Sequence, residues 1–484
     1  MKDGLFKKFI SFSYGSWLGL IIGFLTTMVT TRILLPEDFG KSSMYTLAIS
    51  VIMIFVTFGT DQSFIRFYYE EEEEKRGGLL YNTLKTPILF TILISVFIVI
   101  FRKSLSLFLF GEENSMAIFM LVIGIVAQLG DRYSRLVIRM KQRGNLYSIL
   151  EVLLKVISFT ALIGFYFLVG PSYEIIIYST VVSLLVIFGL AVLSEKKYWN
   201  IRNASIEGLK HSSKEILRFG LPLMVTALVT WLFQSFDKLA IRQWSTLDEV
   251  GLYEAAAKIV ALVHIFQITF SNFWTPVCYE HYENHPEDKD FYGRMMRVIT
   301  VGMLAVAIMS IAGKDIIIAF LGKNYRNAAN IMPFLVFMPV MHTISETTVI
   351  GINFKKKPRW HIFIAAVACL ANIIGNALLV PKYGAVGAAI STAVGYVLFF
   401  TLRTLISSKY YKVDYSLGKF YLMITILFAY SFFSITTKSF WMNILAGGVV
   451  MGALLLIYIK ETREAISFIR TFKFSKPSKS RKIG

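Results

Sequence analysis

Residues 9–40 read FISFSYGSWLGLIIGFLTTMVTTRILLPEDFG and set the class of this protein. The segment carries glycines at 15, 19 and 23, an interval of four that places them on one helix face, where a second helix could approach closely inside a membrane. The apolar part is too long for a secretory signal and lacks a small-residue cleavage site. We therefore predict a retained first transmembrane helix.

A similar pattern returns in the second half of the chain. A long apolar segment begins near Phe219-Gly220-Leu221-Pro222 and ends in a charged cluster followed by Glu249-Val250-Gly251. The first segment likewise ends in cations followed by Asp38-Phe39-Gly40. This recurrence predicts a duplicated helical bundle.

Composition places the chain among polytopic membrane proteins. Hydrophobic residues make up 55% of its 484 residues, and the mean hydropathy is +0.60. The formal charge of +19 fits the enrichment of Lys and Arg in cytoplasmic loops of membrane proteins, and no nucleic-acid-binding motif accompanies it. We therefore expect membrane lipids, and no nucleic acid, among its partners.

Hydropathy over windows of about 20 residues predicts about fourteen transmembrane helices. The predicted spans are 10–34, 42–64, 79–101, 116–138, 146–169, 174–194, 216–241, 250–275, 293–313, 329–352, 358–380, 384–406, 416–436 and 440–459. Lys and Arg then concentrate on the side of the N-terminus, which predicts that both termini are cytoplasmic. The long loop near 196–214 has the position of a linker between two six-helix lobes related by an axis along the membrane normal. The resulting division is an N-lobe at 1–195, this linker, a C-lobe at 215–406, a helix pair at 407–460 and a basic cytoplasmic tail at 461–484.

Two charged segments outside the predicted spans have simple interpretations. The acidic run Glu70–Glu74 is interpreted as a solvated loop. The Lys/Arg-rich tail is expected to attract anionic lipid.

Motifs for catalysis and for metal binding are lacking. The histidines of Glu280–His285 do not have the His-Glu-x-x-His order of zinc proteases, and no outer loop is long enough for a catalytic domain. The two cysteines, Cys278 and Cys369, are interpreted as buried apolar residues. We predict a protein that is not an enzyme and has no catalytic residues, metal or cofactor.

Charged residues inside the predicted spans are the candidates for function, because an ionised side chain in the bilayer normally faces a cavity or a partner. We predict a central water-filled cavity with an excess of cations, and hence an anionic substrate. The candidate substrate-binding cations are Arg32, Arg66, Arg132, Lys155, Lys238 and Lys258. The candidate carboxylates for coupling to a proton or a sodium ion are Asp61, Asp237, Glu254 and Glu346.

Structural alternatives exist for these charges. Arg66 lies near a helix end, where its side chain could reach the interface. Glu151 and Lys155, and likewise Glu254 and Lys258, stand four residues apart and could form pairs that only hold helices together.

Three motifs of the chain resemble those of the polysaccharide transporters, the Wzx-type flippases of O-antigen and capsular polysaccharide. They are Arg32–Gly40, Ser345–Gly351 with the following lysines, and Val380–Ala389. This family belongs to the superfamily that includes multidrug and toxin extruders and lipid II flippases. The resemblance implies an all-α, V-shaped fold of two lobes.

The resemblance also implies a function. Proteins of this family move undecaprenyl-pyrophosphate-linked oligosaccharide across the bacterial cytoplasmic membrane by alternating access, and a polysaccharide polymerase complex is a candidate partner. The pyrophosphate of that substrate is anionic, as the predicted cationic cavity requires. The alternatives are an ion-coupled exporter of drugs or other small molecules with the same fold, a membrane-bound polymerase or ligase, and a scaffold for a biosynthetic complex.

Overall fold

The computed structural model describes residues 2–200 and 208–463, apart from the side chains of residues 2–10, 12 and 13. Its regular structure is helical, with no strand in the described part of the chain, which confirms the prediction of an all-α protein. The helices are α1 (Lys2–Ile33), α2 (Pro36–Thr57), α3 (Thr60–Phe67), α4 (Arg76–Ile100), α5 (Arg102–Phe110), α6 (Ser115–Met140), α7 (Gly144–Val169), α8 (Glu174–Ser194), α9 (Ser213–Trp244), α10 (Leu247–Val260), α11 (His264–Asn284), α12 (Lys289–Ala312), α13 (Lys314–Ala319), α14 (Met332–Leu335), α15 (Phe337–Thr348), α16 (Ile350–Phe354), α17 (Arg359–Tyr410), α18 (Leu417–Thr436) and α19 (Phe440–Ile457).

Among the described residues, 11 helices are long and apolar enough to cross a membrane, or up to 13 spans if each of two bent helix pairs is one span. The predicted number of about fourteen is therefore not confirmed. The 52 residues of α17 form two helical segments joined at a kink. The backbone of α17 leaves helical geometry at Gly384, with φ 54° and ψ −135°, where the sequence predicted a break between two spans. At a rise of about 1.5 Å per residue, α17 is long enough to cross a bilayer core of about 30 Å twice.

Packing divides the described chain into two compact units. The first contains the residues up to Lys258, together with Leu321–Tyr325 and Asn376–Ala385. The second contains Ile259–Phe320, Arg326–Gly375 and the residues from Val386 onward. The predicted lobes and linker stay predictions, and the tail from residue 464 onward lies outside the described residues.

In the first unit, α1 packs along α7, and α8 packs against both α6 and α7. The glycines of α1 differ in how closely they are approached. A Cβ atom on Gly15 would lie 2.7 Å from the Cα of Ser148, so glycine is required there, but nothing lies within 4 Å of the corresponding position at Gly23. The predicted close approach of a second helix is thus right for Gly15 and wrong for Gly23.

The two similar motifs of the sequence, which end in Gly40 and Gly251, contact each other in this unit. A Cβ atom on Gly40 would overlap the carbonyl oxygen of Leu247, and one on Gly251 would overlap that of Pro36. The backbones of α2 and α10 can therefore approach this closely only because both residues are glycine.

The motif Val380–Ala389 also contacts α10. The Glu249 carboxylate accepts a hydrogen bond of 2.7 Å from the backbone nitrogen of Ala385, directly after the break at Gly384. Tyr325 donates a hydrogen bond of 3.2 Å to the carbonyl oxygen of Leu34. One contact thus joins the end of α1 to Tyr325, and the other joins α10 to the residues after Gly384.

The acidic run is only partly a solvated loop. Glu72, Glu73 and Glu74 are exposed, but Glu71 is 2% exposed. Its carboxylate accepts hydrogen bonds from the backbone nitrogens of Lys210 (2.9 Å) and His211 (3.2 Å). The interpretation as a solvated loop is therefore wrong for Glu71, because this side chain satisfies two backbone donors that precede α9.

The second unit is built around α12, which packs against α15 and α19. The Asn443 side chain of α19 donates hydrogen bonds to the carbonyl oxygens of Ile311 (3.0 Å) and Ala312 (3.2 Å) at the end of α12. Cys278 and Cys369 are both buried, as predicted, and form no disulfide bond among the described residues.

Candidate functional site

A cavity of about 430 Å³ lies within the first unit. Its walls come from α2 and α3, from Arg132 of α6, and from one face of α9. The α9 residues on this wall recur every three or four positions, as one face of a helix requires. They are Leu223, Met224, Thr226, Ala227, Thr230, Trp231 and Gln234.

The charged groups on the cavity wall form an ion pair. Both Nε (3.1 Å) and Nη2 (2.8 Å) of Arg132 donate to Oδ2 of Asp61. The Gln62 amide donates to the same oxygen at 3.0 Å. Asp61 is buried, while the side chain of Arg132 is 43% exposed. The structure thus brings together a predicted cation and a predicted coupling carboxylate.

Trp231 is joined to α2 by a hydrogen bond. Its indole Nε1 donates to Oγ of Ser50 in α2 at 2.8 Å. The ring is half-buried and lines the cavity. The indole thus has a defined position, with its polar group already satisfied.

A second charged cluster joins α9 and α10. Glu254 is 8% exposed and binds Lys238 (2.5 Å) and Lys258 (3.2 Å), and it also accepts a hydrogen bond from Ser43 of α2 (3.2 Å). Lys238 follows Trp231 by seven residues, or about 10 Å along α9. Ser43 precedes Ser50 by the same seven residues in α2, so the contacts of α2 with Glu254 and with Trp231 lie about two turns apart.

Lys155 of α7 adds a further cation. It interacts electrostatically with Lys258 and Arg135, which repel it, and with Glu151, which attracts it. The expected Glu151–Lys155 ion pair is not among the contacts of the described residues. Glu151 instead accepts a hydrogen bond of 3.1 Å from Ser16 of α1. The side chain of Lys155 is exposed, so an anion could reach it.

The remaining predicted residues lie elsewhere. Arg32 is exposed in the last turn of α1, and Arg66 pairs with Glu70 on the surface. Asp237 is buried and accepts hydrogen bonds from the Tyr253 hydroxyl (2.6 Å) and the Asn376 amide (2.8 Å). None of these residues belongs to the cavity lining described above.

Glu346 belongs to the second unit. It binds Arg403 at 2.9 Å, and His342 lies 3.8 Å from the same carboxylate oxygen. Arg403 is 6% exposed. This buried network is separate from the residues of the cavity in the first unit.

Sequence reasoning missed the uncharged residues of the cavity and also Arg403. Only charged side chains are conspicuous inside predicted spans, because they are costly there, whereas Trp231, Gln62 and Gln234 are neutral. The signal for the α9 wall was its Thr, Trp and Gln residues at helical spacing, in a helix otherwise rich in apolar residues. Arg403 lies inside a predicted span and could have been found by the same rule as the other charges.

Comparisons with known proteins identify related sequences. The family described as "Polysaccharide biosynthesis protein" matches residues 5–280, more than half of the chain. The capsular polysaccharide biosynthesis protein CapF of Staphylococcus aureus is 20% identical over 401 residues, which cover 80% of this chain and 95% of that protein.

Solved structures with the same fold are membrane transporters. The lipid II flippase MurJ in its inward closed conformation superimposes with a TM-score of 0.68 at 17% identity, over 94% of this chain and 99% of that one. A multidrug resistance MATE transporter of the MOP superfamily, in its inward-facing conformation, has a TM-score of 0.62 at 14% identity, over 82% of this chain and 94% of that one. The fold is thus the one expected from the sequence motifs, and the chain is a multi-pass membrane protein.

Proposed function

This chain belongs to the polysaccharide biosynthesis protein family, and from that premise we propose that it is a flippase for lipid-linked oligosaccharides. The cargo is an undecaprenyl-pyrophosphate-linked repeat unit, and the membrane is the bacterial cytoplasmic membrane with both termini inside. The name of the CapF relative and the likeness to a lipid II flippase support this class of substrate.

The observation that carries the proposal is the cavity of about 430 Å³ among membrane-spanning helices. A glycan cannot cross the apolar core of a bilayer without polar partners, because each unsatisfied polar group there costs several kcal/mol. This cavity offers amide, hydroxyl and ionic groups along one path. It therefore supports transport of a polar head group.

The lysine cluster supports an anionic cargo. Lys155, Lys238 and Lys258 face the carboxylates Glu151 and Glu254, which leaves one positive charge in excess. We assign the pyrophosphate to this cluster, in which Lys155 forms no ion pair with a described residue. The lipid tail remains in the bilayer.

Alternating access follows from the predicted division of the chain. Helices α2, α3 and α6 belong to the predicted N-lobe, and α9 belongs to the predicted C-lobe, so a rocking motion of the lobes would open and close the cavity. Asp61, Asp237, Glu254 and Glu346 are the carboxylates at which a proton or sodium ion could be coupled to this motion. A polysaccharide polymerase would receive the translocated unit.

The first experiment is to measure lipid-linked oligosaccharide in cells that lack this protein. We expect pyrophosphate-linked repeat units to accumulate on the inner leaflet while surface polymer is lost, with both effects reversed when the gene is restored. Normal surface polymer and no accumulation would refute the proposal.

A drug exporter is the second candidate, favoured by the MATE-like fold and by the apolar residues of the α9 wall. This function predicts altered dye or drug efflux in the same deletion strain. It also predicts that transport depends on the carboxylates more than on the lysines.

A further inference from the structure

The cavity wall contains an aromatic ring beside uncharged polar groups. Trp231 lies between Thr230 and Gln234 on the α9 face, and Gln62 of α3 belongs to the same lining. Gln62 and Gln234 are exposed to the cavity. Apart from the Asp61–Arg132 pair, the cavity lining carries no charged side chain.

Three threonine hydroxyl groups of the cavity lining can act as hydrogen-bond acceptors. Thr226 donates to the carbonyl oxygen of Pro222 (3.0 Å), Thr230 donates to that of Thr226 (2.9 Å), and Thr57 of α2 donates to that of Met53 (2.9 Å). Each hydroxyl proton is therefore used within its own helix, and the oxygen lone pairs remain for a ligand.

Gln234 supplies the complementary groups. None of the described residues forms a hydrogen bond with its side chain, whose amide offers both a donor and an acceptor. The cavity thus combines one fixed aromatic ring with acceptors and an adaptable amide.

These groups match the chemistry of a sugar ring. A pyranose presents a face of C–H groups, which packs on an aromatic ring, and a rim of hydroxyl groups, each of which needs a donor or an acceptor. A pyrophosphate would instead require several cations, and the single arginine here is already paired with Asp61. The lining therefore favours a neutral sugar over the charged part of the cargo.

We propose that Trp231 is the platform on which a sugar of the cargo stacks, and that this contact contributes to glycan selection. This inference rests on the flippase function proposed above. Lys238 stands about 10 Å further along α9 and binds the pyrophosphate side of the same molecule. The hydrogen bond from Trp231 to Ser50 holds the ring in place in this conformation.

The test uses two probes on purified protein in nanodiscs: lipid-linked oligosaccharide extracted from the deletion strain, and undecaprenyl pyrophosphate without sugar. The variants are Trp231→Leu, which removes the aromatic ring, and Trp231→Phe, which keeps an aromatic face. Trp244→Leu is the matched control, because Trp244 is an exposed tryptophan of the same helix outside the cavity lining.

We expect Trp231→Leu to weaken binding of the sugar-bearing probe about tenfold and to leave binding of the sugar-free probe unchanged. Trp231→Phe should lose about twofold to threefold, and Trp244→Leu should bind both probes like the wild type. Thermal unfolding of each variant shows whether it is folded, and Trp231→Phe keeps the test valid if the leucine variant is not.

Two results would overturn the inference while leaving the proposed function intact. In one, the Trp231 variants bind the sugar-bearing probe as well as the wild type does. In the other, they lose affinity for both probes equally, as a purely structural or drug-binding tryptophan would. A wild type that binds neither probe better than phosphatidylglycerol would contradict the flippase function itself, and this inference with it.

Discussion

Gly40 and Gly251 pack backbone against backbone in the first unit, and each occupies the same position in one of two similar sequence motifs. A Cβ on either residue would overlap a carbonyl oxygen of the other segment, that of Leu247 or that of Pro36. The recurrence in the sequence thus corresponds to a direct contact, in which the end of one apolar segment lies on its counterpart.

Substitution of Gly40 or Gly251 by alanine should separate α2 from α10. The added methyl group cannot fit without a backbone shift, and such overpacking costs about 1–3 kcal/mol. Thermal unfolding of the purified protein should show a lower midpoint for both variants. Gly23→Ala is the control, since nothing lies within 4 Å of its Cβ position and alanine favours a helix. A Gly40→Ala variant as stable as Gly23→Ala would contradict the observed contact.

Neutralising Lys155 should abolish polymer export while the protein remains folded in the membrane. The Lys155 side chain is exposed and makes no ion pair with a described residue, so Lys155→Gln removes an anion-binding charge without leaving a buried partner unpaired. Lys258→Gln should also lose export, and Lys155→Arg should retain much of it. Export is measured as surface polymer, and expression as protein in the membrane fraction. Normal export in both glutamine variants would refute the assignment of the pyrophosphate to this cluster.

Loss of Arg132 should impair both stability and transport. Arg132→Gln leaves the buried Asp61 carboxylate with the Gln62 amide as its hydrogen-bond donor in the cavity, and we expect a cost of about 1–2 kcal/mol because Arg132 is partly solvated. The double variant Asp61→Asn with Arg132→Gln should regain stability but not transport. Thermal unfolding and polymer export distinguish the two effects. If the double variant is less stable than Arg132→Gln alone, the pair is not the reason for the loss.

Glu71→Ala should loosen the segment that precedes α9. The substitution leaves the backbone nitrogens of Lys210 and His211 without their acceptor, and an unsatisfied buried donor costs about 1–3 kcal/mol. Hydrogen exchange should become faster at these two amides. Glu73→Ala, at an exposed position of the same acidic run, should exchange like the wild type. Equal exchange in Glu71→Ala and the wild type would show that this contact does not hold the segment.

Most of the architecture could be predicted from the sequence, because a helix that crosses the bilayer needs about 20 predominantly apolar residues in a row. Long apolar segments predicted the helical class and the approximate positions of the spans, and the kink of α17 at Gly384 lies where a break between two spans was expected. Glu254 and Lys258 were expected to interact from their spacing of four residues, and they do. Glu151 and Lys155 have the same spacing, yet Glu151 binds Ser16, because a neighbouring helix offers it a closer partner.

The residues of the cavity could not be found in this way. Uncharged polar side chains such as Gln234 also form hydrogen bonds between membrane helices, and tryptophans such as Trp231 also lie at membrane interfaces, so their presence in the sequence does not reveal a site. The buried position of Glu71 was also hidden, because its partners are backbone groups more than a hundred residues away.

By itself, the sequence determined that this protein is helical, lies in a membrane and carries two similar motifs ending in Gly40 and Gly251, since these properties follow from local composition and spacing. Only the tertiary structure decided which charges meet and which wall Trp231 lines. Those contacts join α2, α3, α6, α9 and α10, and the pairing of helices distant along the chain depends on packing that no local pattern specifies.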